Sequence, residues 1–188
     1  MRRWIAPLMA AIVAVALGAA VSTAGAASVS FSTSSATVTA GSITLRDNSL
    51  GNFLQNRTLN LSFNATTACN GTNEVQIGQV VGGRGTITSP AGYTWQFTTP
   101  WGIWTRCAIN GDGSLSVTLR DVVFWSNLGL LGTFTYSGTI NARLNTAGTT
   151  LNGIGSSFRS GRGSSAFYVT PFAFSTGSGP AIGWTYTP

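Results

Sequence analysis

The chain has 188 residues, of which 43% are hydrophobic and 7% charged, and its ten basic and four acidic residues give a formal net charge of +6 at pH 7. It contains neither histidine nor lysine, which excludes Ser-His-Asp and Cys-His catalysis, Schiff-base chemistry and a Walker A phosphate site. Frequent aromatic and β-branched residues exclude a disordered chain, and the length fits one domain.

The first 26 residues have the three regions of a secretory signal peptide. Met1–Arg3 is a basic start, Ile5–Ala20 is almost wholly apolar, and Ala24–Ala26 offers the small residues that a signal peptidase requires. A retained membrane anchor is the alternative, but the apolar segment is short for crossing a bilayer. We therefore predict a signal peptide over 1–26, a single all-β domain over 27–188, and a secreted, extracellular or cell-surface location.

The two cysteines, Cys69 and Cys107, are predicted to form one disulfide, because an exported chain meets an oxidising environment. Closing a loop of this size stabilises a fold by about 4 kcal/mol in the chain-entropy model. Free thiols and a metal-ligand pair are the alternatives, but two metal-bound thiolates would need help from histidine or carboxylate ligands, and histidine is absent. We predict no metal and no cofactor.

The positive charge does not point to nucleic acid. Without the leader, eight arginines and four acids remain, a net charge of +4 for residues 27–188. A nucleic-acid interface clusters its basic residues along one face. The arginines of the mature chain instead stand singly, at positions 46, 57, 84, 106, 120, 143, 159 and 162. We expect no nucleic-acid partner. Arginine without lysine, behind an Ala/Val-rich leader, is typical of a GC-rich bacterial genome.

Apolar and polar residues alternate along most of the chain, which predicts β-strands with one buried face. The longest alternation runs over 134–144. Asn110–Gly113 predicts a hairpin, Gly82–Gly85 a turn, and residues 50–54 a single turn of helix. About nine or ten strands separated by turn signals predict an all-β fold. We favour an antiparallel β-sandwich, of the jelly-roll or immunoglobulin-like kind, over a barrel.

Asp121 interrupts one of these alternations. Leu115, Val117 and Leu119 point one way, and the same phase would bury the Asp121 carboxylate and, beyond it, Trp125. A β-bulge at this point is the alternative. In either case we expect a structural carboxylate rather than a functional one.

The densest aromatic stretch of the chain is residues 93–104. Trp95, Phe97 and Trp101 alternate with polar neighbours, and aromatic residues in that pattern usually pack in a core. We therefore assign these three side chains to the interior.

Two other residues of this region are predicted to face outward. The phase that buries Trp101 and Cys107 turns Trp104 and Arg106 to the opposite face. An exposed Trp beside an Arg suits stacking on a sugar ring, contact with a protein partner or a membrane interface. Covering a second buried face is the alternative for Trp104. We predict a binding surface formed by Trp104, Arg106 and Tyr93.

A catalytic pair of carboxylates would have to combine Glu74 with Asp112 or Asp121. Asp112 already has a role in the predicted hairpin turn, and a glycosidase needs two carboxyls that converge in one cleft. Residues 110–114 also begin like a calcium loop, but the downstream bidentate acid is missing. We predict no catalytic residues and a protein that is not an enzyme.

These features favour a secreted or cell-surface protein that acts by binding or by surface assembly. Its partners would be an extracellular or cell-wall glycan, or further copies of the chain. A carbohydrate-binding module that uses an exposed Trp is one alternative. A membrane β-barrel or oligomeric pore is another, although the polar outward residues of the clearest strands argue against it.

Overall fold

The computed structural model describes residues 25–40, 43–47, 50–88, 94–127, 129–160, 163–169 and 173–188. Nearly all of the predicted signal peptide lies outside these residues, and so does Tyr93. Within them the secondary structure consists of fourteen strands and one 3-10 turn, Gly129–Leu131, so the all-β class is confirmed. No helix of the described part is long and apolar enough to span a membrane.

The strands follow one another along the chain with mostly short connections. In order they are β1 (Ser28–Phe31), β2 (Ser35–Ala40), β3 (Ile43–Asp47), β4 (Leu50–Phe63), β5 (Thr66–Ala68), β6 (Val75–Thr88), β7 (Thr94–Thr98), β8 (Trp101–Thr105), β9 (Leu115–Asn127), β10 (Thr133–Leu144), β11 (Thr150–Ser160), β12 (Gly163–Val169), β13 (Ala173–Ser175) and β14 (Trp184–Thr187).

Eleven of these strands form one antiparallel sheet that closes on itself as an eight-stranded barrel. We call each of the eight strand positions around the barrel a stave, because some positions are occupied by two shorter strands in succession. Three staves each consist of two consecutive strands, namely β2 with β3, β7 with β8, and β12 with β13. The ring runs β4, β6, β7/β8, β9, β10, β11, β12/β13 and β2/β3, and then returns to β4. Each stave therefore has a hydrogen-bonded neighbour on both sides.

The predicted β-sandwich is wrong. A sandwich has two separate sheets, whereas here the pairings of β4 with β6, β8 with β9 and β11 with β12 join the strands into a closed ring. Alternation identifies the buried face of a strand, and that face looks the same in a sandwich and in a small barrel. The breaks within three staves account for three of the fourteen strands, whose number exceeds the nine or ten that were predicted.

Bulges and a glycine allow the long strands to curve around the barrel. The pairing of β10 with β9 shifts register between Gly138 and Ile140. Gly138 lies so close to β11 that a Cβ atom there would be 1.9 Å from the carbonyl oxygen of Ser157. Only glycine fits this position, and bulges combined with glycine bends are what turns a sheet through the corner of a small barrel.

The turn predicted at Gly82–Gly85 is wrong as well, because these residues lie inside β6. A Cβ atom at Gly83 would be 2.4 Å from the carbonyl oxygen of Thr58 on β4. The glycine run therefore serves the close approach of two strands and not a chain reversal. The helical turn predicted over 50–54 is replaced by the beginning of β4.

Apolar side chains fill the interior of the barrel. Phe97, Trp101, Phe124 and Phe158 form an aromatic cluster, with successive ring centroids 5.3, 5.9 and 5.6 Å apart. The interior positions predicted for Phe97 and Trp101 are thus confirmed, whereas the side chain of Trp95 lies outside what the structure describes. Near Leu61 the remaining void is about 10 Å³, room for at most one water molecule.

A separate three-stranded sheet, in the order β14, β1, β5, packs against the barrel. Phe31 of β1 stacks on Phe63 of β4 with ring centroids 4.4 Å apart. The predicted disulfide is confirmed: Cys69 follows β5, Cys107 follows β8, and their Cα atoms are 6.0 Å apart. The bond therefore ties the small sheet to the barrel wall.

Candidate binding site

A β-bulge in β9 delivers two charged side chains to the same side of the barrel. Arg120 and Asp121 together oppose the single residue Thr139 of β10, and Asp121 has a φ of 60°. Leu119 and Val122 on either side are wholly buried. Both intervening residues therefore lie on the outer wall, and of the two sequence-based alternatives for Asp121 the bulge is the correct one.

The bulge also reverses the phase of the strand beyond it. Phe124 is buried in the interior, and Trp125 is only partly buried. The expectation that Trp125 shares the inward phase of Leu119 is therefore wrong. One extra residue in a strand exchanges the two faces for every residue that follows.

Trp104 lies on the outer face of β8 and is partly buried. The guanidinium carbon of Arg120 stands 4.9 Å from the centroid of its ring, a cation–π contact. The indole lies against Gly102 of its own strand, and its buried Nε1 has no hydrogen-bond acceptor among the described residues. Trp104 therefore holds Arg120 in place and does not offer both of its faces to a ligand.

Glu74, just before β6, links the two arginines that flank Trp104. Its Oε1 lies 3.6 Å from Nε of Arg106 and accepts a 3.2 Å hydrogen bond from Thr118 Oγ1, while its Oε2 accepts one from Nη2 of Arg120. The Glu74 side chain is 12% exposed, against 66% for Arg106. Both carboxylate oxygens are thus engaged in holding neighbouring side chains.

Beside this cluster an open groove of about 510 Å³ crosses β9, β10 and β11. We call it the outer groove. Its charged lining residues are Glu74, Arg120, Asp121 and Arg159, and the others are Thr118, Ser137, Gly138, Thr139 and Asn141. Asp121 and Arg159 are exposed, and neither has an ion-pair or hydrogen-bond partner among the residues that the structure describes.

No protein-family model, curated protein sequence or solved structure matches this chain.

A second groove of similar volume, about 530 Å³, lies on the opposite wall, across β2, β4 and β6. In the ring, β4 is four staves from β10 in either direction, so the two grooves face away from each other. The second groove is lined mainly by hydroxyl, amide and small apolar side chains, and none of its described lining residues is charged. The two grooves have similar volumes and differ in the charge of their described lining residues.

Of the three predicted binding residues, the structure brings Trp104 and Arg106 into one cluster, bridged by Glu74 and Arg120. Tyr93 lies outside the described residues. Sequence reasoning did not assign Arg120 or Arg159 to the surface. The available signal was the pair Arg120–Asp121, two consecutive charges within an otherwise alternating strand.

Asp112 lies elsewhere, in the hairpin before β9, and the predicted turn is confirmed. The backbone N–H of Gly113 donates to the carbonyl oxygen of Asn110 at 2.9 Å, and Ser114 donates to Asp112 Oδ1 from its backbone N–H at 3.0 Å and from its hydroxyl. These bonds lower the pKa of Asp112 from its usual 3.8, the hydroxyl having the larger effect. Asp112 does not line the outer groove.

Proposed function

We propose that the protein is exported and acts, without catalysing a reaction, by binding a segment of glycan in the outer groove. The observation that carries this proposal is the bulge, which directs Arg120 and Asp121 side by side into a groove lined by hydroxyl and amide groups. Sugars present adjacent hydroxyls that both donate and accept hydrogen bonds, and carboxylate, guanidinium and amide groups are their natural partners.

The shape of the groove supports a chain-like ligand. Sites for small molecules are enclosed and mostly apolar, and they bury most of the ligand surface. The outer groove is open, polar and three strands wide. A polymer that lies across the strands would contact the groove through several consecutive sugar units, and both of its ends would extend into solvent.

The state of Glu74 supports binding rather than hydrolysis. A glycosidase needs two carboxyls free to act as acid and as base or nucleophile on either side of one bond. Both oxygens of Glu74 already contact Arg106, Arg120 and Thr118. That arrangement is typical of a carboxylate that positions other side chains.

The distribution of polarity favours this proposal over the membrane pore. The described outer wall carries exposed polar side chains, including Thr37, Asn60, Gln79, Ser137 and Asn141, around an apolar interior. A barrel in a lipid bilayer has the opposite arrangement, with an apolar band outside and a polar lumen.

The test is retention of purified protein by a panel of polysaccharides in affinity gel electrophoresis, with Trp104→Ala as the principal variant. Losing the indole releases Arg120, so we expect about three- to tenfold weaker binding, as one cation–π contact of about 1 kcal/mol implies. Trp104→Phe keeps an aromatic face beneath the guanidinium and should bind nearly as well as the wild type.

The matched control is Asn60→Ala, which alters the opposite groove and should leave retention unchanged. Thermal unfolding of each variant shows whether the fold is intact. The proposal fails if no polysaccharide retains the wild type, or if folded Trp104→Ala binds as tightly as the wild type does.

A further inference from the structure

We infer that the bound glycan is acidic, and that Arg159 binds its anionic groups while Asp121 accepts hydrogen bonds from its hydroxyls. This inference rests on the proposed function and adds the class of the ligand. The anionic group would be a carboxylate or a sulfate, since a guanidinium pairs with either through two parallel N–H donors.

The balance of charge in and beside the groove is positive. Arg106, Arg120 and Arg159 outnumber Glu74 and Asp121 by one. Glu74 is occupied by two of the arginines, each through a single contact with the carboxylate. Because a guanidinium has five N–H donors, both arginines keep donors that a ligand can use.

Among the described residues that line the outer groove, Arg159 and Asp121 are the charged groups with no ion-pair or hydrogen-bond partner. They line the same groove but form no ion pair with each other. They stand on β11 and β9, with β10 between them, so their strands are about 10 Å apart. A cation and an anion held apart in this way can contact different groups of one extended ligand.

Neutral polymers lack a group that matches Arg159. The described lining residues of the opposite groove are uncharged, so a ligand bound there would contact no described side chain that distinguishes acidic from neutral chains. We therefore expect anionic polymers to bind more tightly than neutral ones, and we expect this difference in affinity to depend on Arg159.

The experiment compares the affinity of the full-length exported protein for polygalacturonate, dextran sulfate and neutral dextran. We expect the wild type to bind at least one anionic polymer about tenfold more tightly than dextran, the size of effect given by one charge-assisted contact. Arg159→Gln should lose most of that preference and bind dextran as before. Added salt should weaken anionic binding because the groove is exposed.

Arg143→Gln is the matched control, because it removes the same charge from β10 beside Asp112, outside the groove. It should keep the preference for anionic polymers. Equal wild-type affinity for all three polymers overturns this inference and leaves glycan binding standing. An equal loss in Arg143→Gln and Arg159→Gln also overturns it, since net charge alone would then explain the preference. Binding to none of the three polymers overturns this inference, and it overturns glycan binding as well if the wider polysaccharide panel also fails to retain the wild type.

Discussion

At position 121 the chain adopts a backbone conformation that an L-residue with a side chain rarely takes. The φ of Asp121 is 60°, in the left-handed region where glycine is at ease and Asp or Asn is tolerated. Glycine would meet the needs of the bulge at lower conformational cost. The presence of a carboxylate there, exposed and pointing into the outer groove, therefore favours a role for the side chain in binding.

We predict that Asp121→Gly leaves the fold as stable as the wild type, or stabilises it by up to about 1 kcal/mol, because it relieves a positive φ. Binding of glycan should fall by about tenfold, since the acceptor of sugar hydroxyls is lost. Urea unfolding measures the free energy of unfolding, and polysaccharide retention measures the binding of glycan. Asp121→Asn, which also tolerates this backbone but has no charge, should have wild-type stability and intermediate binding. Destabilisation by Asp121→Gly with unchanged binding would mean that the side chain is purely structural.

At the residue scale the sequence predicted part of the site. Alternation along β8 was enough to direct Trp104 and Arg106 outward. Glu74 precedes β6 and Arg159 lies on β11, and only the pairing of strands brings both residues to the outer groove. The bulge at Asp121 was recognisable as an alternative, because two consecutive charges do not fit an alternating strand, but sequence alone did not decide between a bulge and a buried acid.

At the scale of single elements, the hairpin before β9 depends on local hydrogen bonds and is well predicted. Asn110–Gly113 supplies residues that suit the turn, and Asp112 accepts two bonds from Ser114. The long strands are harder. Gly83 lies in a run that predicted a turn, and Gly138 interrupts a predicted strand. Both serve close contacts between neighbouring strands, and those contacts depend on partners far along the chain.

The lowered pKa of Asp112 gives this hairpin a pH dependence. Because the folded-state pKa lies below the unfolded value of 3.8, the carboxylate stabilises the fold above that value, and its contribution is lost as pH falls from there through the folded pKa. Asp112→Asn resembles the protonated form. We expect it to have a lower Tm than the wild type near neutral pH and the same Tm at about pH 2. A Tm difference that stays constant with pH would contradict the assignment.

At the scale of the whole molecule, closure of the barrel limits how copies of the chain can associate. Every stave of the ring has two neighbours, so among the described strands the small sheet supplies the edges that are open to pairing between molecules. Its outer strands, β5 and β14, have three and four residues, and short edge strands are poor templates for assembly.

We therefore predict that the purified protein is a monomer in solution without detergent, as measured by size-exclusion chromatography with light scattering. Filaments or large oligomers would instead support surface assembly. In that case Tyr186→Pro in β14, which removes a backbone donor from the open edge and none that faces β1, would show whether strand pairing builds them.

The closed barrel was the largest feature of the fold that sequence analysis predicted wrongly. Which side chains are buried follows from a period of two, and residues such as Trp101, Ile140 and Leu144 were assigned to the interior correctly. Whether the last strands pair back to the first depends on strand curvature and register, which the bulges and close glycine contacts set. Those features become visible only when the partner strands are known.

The central claim is that the outer groove is where ligand binds, and its most direct test is an NMR titration of isotopically labelled protein with an oligosaccharide cut from a retained polymer. We predict saturable shifts of amide signals from residues 118–121, 137–141 and 159, with those of residues 35–39 and 58–62 on the opposite wall unchanged. Shifts confined to the opposite wall, or no saturable shift anywhere, would contradict the claim.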